Sequence, residues 1–234
     1  MQSRSRDDGH IRAVIFDLDG TLVHTAPEIA TALNRALAEL GFPALAHDAV
    51  EDLIGRGIAS TVERALELVN APAGVDINGA IARFEAHYNA IVGTGAAAFD
   101  GVVEGLELLR ADGYPMSVVT NKMRHFSETL LDRLDLNKFF TGCVAGDDGI
   151  RRKPHGDMLI AACAMMKSSA PATLMVGDSE NDVSAAREAG CPVWCVRYGY
   201  NEGRAPETLG GDRLVDSIEE VARLLHGSPA AGQG

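Results

Sequence analysis

A chain of 234 residues can build one large or two modest domains with real cores. Its 46% apolar and 23% charged residues are the proportions of a globular protein in water, and its net charge of −12 excludes a general binder of nucleic acid or of anionic membranes. No run is long and apolar enough to span a bilayer and residues 1–10 are polar, unlike a secretory signal, so the chain is expected in the cytoplasm.

Residues 1–10 and the small-residue stretch 227–234 read as flexible tails. Between them, Val14-Ile15-Phe16 reads as a buried parallel strand, which the Gly20-Thr21 turn ends. Asp17 and Asp19 fall at its carboxyl end, the side on which parallel sheets bind ligands. Two acids so close repel, and a divalent metal is the simplest compensation. A solvated Asp-x-Asp-Gly turn is the plain alternative. A calcium loop is not, because the sixth position of that loop needs Gly and is Leu22 here, and a strand precedes it.

Pro27 opens a helix with Ile29, Leu33, Ala36, Leu37 and Leu40 on one face, ended by Gly41. Asp48 can cap a short helix carrying Val50, Leu53 and Ile54, which stops at Gly55-Arg56-Gly57. Two more helices run from about Ile58 to Val69 and from about Asp76 to Val92. No strand is expected between Leu22 and Asp100, so residues 23–99 read as a helical insert closed by two flexible linkers.

From Gly101 helices alternate with strands at Pro115–Val119, Gly142–Ala145, Thr173–Val176, Pro192–Val196 and Arg213–Val215. Parallel strands need helical crossovers, so residues 11–22 and 100–226 form an α/β core, a doubly wound parallel sheet. Cys143, Cys163, Cys191 and Cys195 lack Cys-x-x-Cys spacing and lie mostly in apolar segments, as buried free thiols do. The His residues show no metal-ligand spacing either.

Three strand ends of this half carry polar residues of definite type. Thr120-Asn121 offers a hydroxyl and backbone N–H groups suited to a phosphate oxygen, or simply a helix cap. In Lys153-Pro154 the proline sets the chain direction and the lysine can point a fixed charge inward, or lie in a solvated loop. In Gly177-Asp178-Ser179-Glu180-Asn181-Asp182, Asp178 or Ser179 can cap the next helix, but Asp182 adds acid beyond what capping requires.

In this order and spacing, Asp17-x-Asp19-Gly20-Thr21, Thr120-Asn121, Lys153-Pro154 and Gly177-Asp178-Ser179-x-x-Asp182 resemble the four motifs of the haloacid dehalogenase superfamily of aspartyl-nucleophile phosphatases. The helical insert stands where that superfamily carries its α-helical cap. Ala26-Pro27-Glu28-Ile29, Ile54-Gly55-Arg56-Gly57, Thr120-Asn121-Lys122 and Tyr198-Gly199-Tyr200-Asn201 look most like the bacterial phosphoglycolate phosphatases within it. His24 departs from that pattern, in a place where Asp is common and outside the four motifs.

The resemblance implies Asp17 as nucleophile, Asp19 as general acid and then base, Thr120 and the Asn121 N–H as holders of the phosphoryl oxygens, and Lys153 as their stabilising cation. It implies Mg2+ on Asp17, the Asp19 carbonyl and Asp178, with Asp182 orienting that shell, and places Thr21 among the substrate-binding residues. The expected reaction is hydrolysis of a small phosphomonoester, 2-phosphoglycolate first, by a monomer or homodimer with no nucleic-acid or membrane partner. A sugar phosphatase, a phosphoglucomutase-like phosphotransferase and a non-catalytic regulatory protein are the alternatives. A guanidinium suits the glycolate carboxylate, so Arg56, between two glycines, or Arg64 in the next helix is expected to read it.

Overall fold

Four consecutive buried residues, Ala13–Phe16, form the central strand β1 of the computed structural model, which describes residues 11–226. The expected tails, 1–10 and 227–234, lie outside the described residues. In chain order the elements are β2 (Val23–His24), α1 (Ala26–Glu39), α2 (His47–Glu51), α3 (Ile58–Leu68), α4 (Ile77–Ile91) and β3 (Ala97–Ala98). Then follow α5 (Val102–Ala111), β4 (Met116–Val119), α6 (Arg124–Arg133), β5 (Gly142–Val144), α7 (Asp157–Met165) and β6 (Thr173–Gly177). The last are α8 (Glu180–Ala189), β7 (Val193–Val196), β8 (Arg213–Val215) and α9 (Ile218–His226).

Six strands pair in parallel in the order β5-β4-β1-β6-β7-β8, with Val14 beside Met116 on one side and Leu174 on the other. Side chains alternate across a strand, so β1 feeds two cores. Val14 and Phe16 join α5, α9 and the apolar faces of α1, α3 and α4, whereas Ala13 and Ile15 join α7 and α8. This is the doubly wound α/β fold the alternation predicts. The chain leaves β1 toward β4 on one side and returns through β6 on the other, so the carboxyl ends of β1, β4 and β6 share one crevice, the topological switch point of such sheets. All four cysteines are free thiols, and three of them are buried.

The stretch expected to lack strands does contain two. β2 and β3 pair antiparallel, Val23 with Ala98 and His24 with Ala97, where the chain leaves for and returns from the four helices. Each is two residues long, too short to leave any alternation in the sequence, and their pairing depends on contacts across more than seventy residues. His24 sits in this ribbon with its ring 5.4 Å from that of Phe99 and its Nδ1 2.7 Å from the Tyr200 hydroxyl.

A second tie comes from Glu28 in the first turn of α1. Its buried carboxylate accepts the N–H groups of Gly93, Gly95 and Ala96 at 2.8, 2.5 and 3.0 Å. One side chain thus satisfies three donors of the returning linker, which is otherwise made mostly of small residues. Replacing Glu28 with Ala strands those donors, and the expected loss is at least about 2 kcal/mol in urea unfolding, with Glu28→Gln losing less. Equal stability of Glu28→Ala and the parent would remove this role.

Candidate active site

Strand ends and helix starts bring four acids and two lysines together. Asp17 and Asp19 follow β1, Thr120 to Lys122 follow β4, Lys153 precedes α7, and Asp178 to Asp182 span the end of β6 and the first turn of α8. Lys153 Nζ lies 2.8 Å from Asp17 Oδ1 and 2.7 Å from Asp182 Oδ1, and it also donates to the Val119 carbonyl at 3.0 Å. Ser179 is the N-cap of α8, and the second oxygen of Asp182 accepts from the N–H groups of Asp178 and Ser179 and from the Ser179 hydroxyl. Capping and the ion pair therefore use both oxygens of Asp182.

Asp178 is held as firmly. Thr21 Oγ1 donates to its Oδ1 at 2.7 Å and the Tyr200 N–H to its Oδ2 at 2.6 Å. Gly20 has φ +86°, and a Cβ there would run into the Asp178 carboxylate and the Tyr200 ring. A Cβ on Gly199 would strike Asp178 as well, so glycine is needed at both places for backbone to approach this acid. The Tyr200 hydroxyl in turn accepts the Ala26 N–H at 3.0 Å, which joins this acid to the first residue of α1.

Asp19 turns the other way. Its carboxylate accepts from Thr25 Oγ1 at 2.7 Å and from Lys122 Nζ at 2.9 and 3.1 Å. Thr120 accepts the Lys122 N–H at 3.1 Å, which leaves its own O–H free to donate. The Asn121 side chain donates to the carbonyls of Gly55 and Lys153, both at 2.9 Å, and so fastens the loop after α2 to the loop before α7.

Across this network Asp17 is the exception. Among the described residues, no group donates to its Oδ2, and Asp17 and Asp19 are the two acids that line a cavity of about 40 Å3 between the sheet and the helices. Burial pushes the Asp17 carboxyl up to about 7, Lys153 pulls against that, and Asp182 and Asp19 push with it. Burial, with Asp17 and Asp182 beside it, holds Asp178 well above the usual carboxylate range. Burial opposes the charge of Lys153, but Asp17 and Asp182 outweigh it and hold the ammonium above its ordinary value.

Oxygens of Asp17, Asp178 and Asp182 lie within 4.8 Å of one another, all three residues buried, against the single charge of Lys153. Hard carboxylate oxygens with an uncompensated negative charge fit a divalent cation such as Mg2+.

The expected residues Asp17, Thr21, Asp178, Asp182 and Lys153 thus meet in one cluster, with Asp19, Thr120 and Asn121 at its rim. Arg56 and Arg64 do not reach the cavity. Arg56 clamps Glu202 through two hydrogen bonds of 2.8 and 2.7 Å, and Arg64 donates to the Asp52 carbonyl at 2.8 Å. Sequence reasoning assigned no role to Thr25, Tyr88, Lys122 or Tyr200. Lys122 and Tyr200 sat inside stretches already singled out, yet only the folded chain shows what they touch.

The model of the family of haloacid dehalogenase-like hydrolases matches residues 14–196. The chain belongs to this family. Among curated proteins it is 45% identical to the plasmid phosphoglycolate phosphatase of Cupriavidus necator, over 91% of this chain and 92% of that protein. It is 41% identical to the phosphoglycolate phosphatase of Thiobacillus denitrificans, over 92% and 96%. A crystal structure from Haemophilus somnus, described as a predicted phosphoglycolate phosphatase, superposes with a TM-score of 0.87 at 28% identity, covering 92% of this chain and 97% of that one.

For this hydrolase the raised Asp17 value sets a pH dependence. A carboxyl whose value rises on folding stabilises the fold at low pH and loses that contribution as pH climbs through about 7. A divalent cation binds the ionised form and restores what is lost. Mg2+ is therefore expected to raise the melting temperature more at about pH 8 than at about pH 6. A gain that is larger at the lower pH would contradict the assignment of the cluster.

Proposed function

We propose that this hydrolase is a Mg2+-dependent phosphatase that converts 2-phosphoglycolate to glycolate and phosphate through an aspartyl-phosphate on Asp17. The observation that carries the reading is the open oxygen of Asp17, a residue that lines the cavity, while both oxygens of every neighbouring acid are engaged. The name shared by the curated relatives supports the substrate.

Asp17 and Asp178, with the main-chain carbonyl of Asp19, would hold the cation, and Asp182 would orient them from behind. Bound there, Mg2+ offsets the charge that keeps a carboxylate from approaching a phosphate dianion. Lys153 keeps one oxygen of Asp17 fixed and leaves the other aimed at phosphorus. That oxygen forms the new O–P bond as the ester P–O bond breaks, and Asp19 gives its proton to the departing glycolate oxygen. Asp19, now a carboxylate, takes a proton from water, whose oxygen displaces Asp17 from phosphorus and frees phosphate. The Thr120 hydroxyl and nearby backbone N–H groups, Asn121 included, hold the phosphoryl oxygens through both steps. Residues 23–99 serve as a lid over the cavity, and the net charge of −12 suits a cytoplasmic enzyme, monomer or homodimer, free of nucleic-acid and membrane partners.

Phosphate release from 2-phosphoglycolate with Mg2+ tests the reading. Asp17→Asn keeps the shape and removes the attacking charge, so kcat should fall by at least about a thousandfold while the fold persists. EDTA should abolish turnover, and Asp178→Ala should cost far more than Ser179→Ala. Turnover in EDTA, or a near-normal rate in Asp17→Asn, would overturn it.

A further inference from the structure

The leaving-group side of the cavity is walled by Ile29, Ile54, Ile58, Phe84 and Tyr88 from the helices. Among the described residues Lys122 is the only cation on that wall, because Lys153 lies beneath Asp17 and Asp182, and Arg56 is turned to Glu202. Lys122 is buried, with Nζ 4.8 Å from the centre of the Tyr88 ring. An ammonium has three donors, and the two oxygens of Asp19 take at most two of them.

Tyr88 is 1% exposed, and its hydroxyl, beside the Lys122 ammonium, has no acceptor for its proton among the described residues. A buried hydroxyl almost always donates its proton, and leaving that donor unmatched costs about 1 to 3 kcal/mol, so such a donor on a cavity wall marks a ligand contact. The ring itself is fixed between Phe84 and Phe126, whose centroids lie 5.6 and 4.9 Å away. Burial pushes the phenol up to about 12, which keeps its proton available for donation at neutral pH.

We propose that the Lys122 ammonium and the Tyr88 hydroxyl together bind the carboxylate of the substrate, and so select phosphate monoesters of small 2-hydroxy acids. The inference rests on the reading of the site as a phosphatase and replaces Arg56 with a different pair as the source of selectivity. Apolar side chains on the rest of the wall exclude further polar substituents, and a neutral leaving group would strand both donors. Binding the carboxylate also seats the ester oxygen beside Asp19, because Lys122 touches that acid already.

The test compares kcat/KM for 2-phosphoglycolate with kcat/KM for ethyl phosphate, which has the same two carbons and no carboxylate. Tyr88→Phe preserves the ring stack and should lower the ratio of the two by about tenfold or more, the loss of one hydrogen bond to a charged acceptor, with the change mainly in KM. Lys122→Met should slow both substrates, since Asp19 loses its partner, but 2-phosphoglycolate by at least about tenfold more. Thermal melts would confirm that both variants fold. Equal losses on the two substrates, or a collapse of the ratio in Arg56→Ala but in neither of these variants, would overturn the proposal and leave the phosphatase reading standing. No Mg2+-dependent release from either substrate by the parent protein would overturn that reading and this inference with it.

Discussion

One lysine ammonium, bonded to Asp17, Asp182 and the Val119 carbonyl, is the contact on which the rest of the site depends. Taking a charge out of water costs several kcal/mol per ion even after relaxation, and the cost is recovered only if every remaining donor and lone pair is matched. Lys153 meets that condition with three acceptors. The acids around it do not, because Asp17, Asp178 and Asp182 bring three carboxylates against one buried cation. Either a proton or a metal must make up the difference. The same imbalance accounts for the raised values of Asp17 and Asp178 and makes this all-carboxylate cluster fit for a hard cation.

Such a cluster can persist only in a frame that does not yield, and the parallel sheet supplies it. β1, β4 and β6 lie side by side, so residues that follow them reach a common point without long loops. Gly20 and Gly199 then let backbone close in on Asp178, and Tyr200 passes that rigidity to the start of α1. The Glu28 carboxylate and the β2–β3 ribbon secure the other side of the helical insert. The result is a small cavity with a charged floor and an apolar roof, in which a phosphate and a short acid can be told apart by separate groups.

Much of this was legible in the chain, because strands of a parallel sheet are continuous apolar runs and their carboxyl ends carry the chemistry. Asp17, Asp178, Asp182 and Lys153 could be grouped from those strand ends alone, and the structure brings them together. What stayed hidden depended on contacts distant in sequence. β2 and β3 are two residues each and pair only because the helices between them return. Arg56 looked free between its glycines, but Glu202, 146 residues away, captures it. Lys122 read as part of a motif, and Tyr88 stood without a role inside the helix expected from about Asp76 to Val92. Their juxtaposition needs α4 of the insert to fold down over the end of β4, which no local pattern encodes.

The account stands or falls on Asp17 being the acid that accepts the phosphoryl group, since among the four acids of the site it alone presents a carboxylate oxygen that no described residue engages. Acid-quenching the enzyme during turnover of 2-phosphoglycolate, followed by borohydride reduction and peptide mass spectrometry, reads this directly. An aspartyl-phosphate is reduced to homoserine, and the account predicts that conversion at position 17 and nowhere else. Homoserine at position 19, 178 or 182, or none at all during steady turnover, would contradict it.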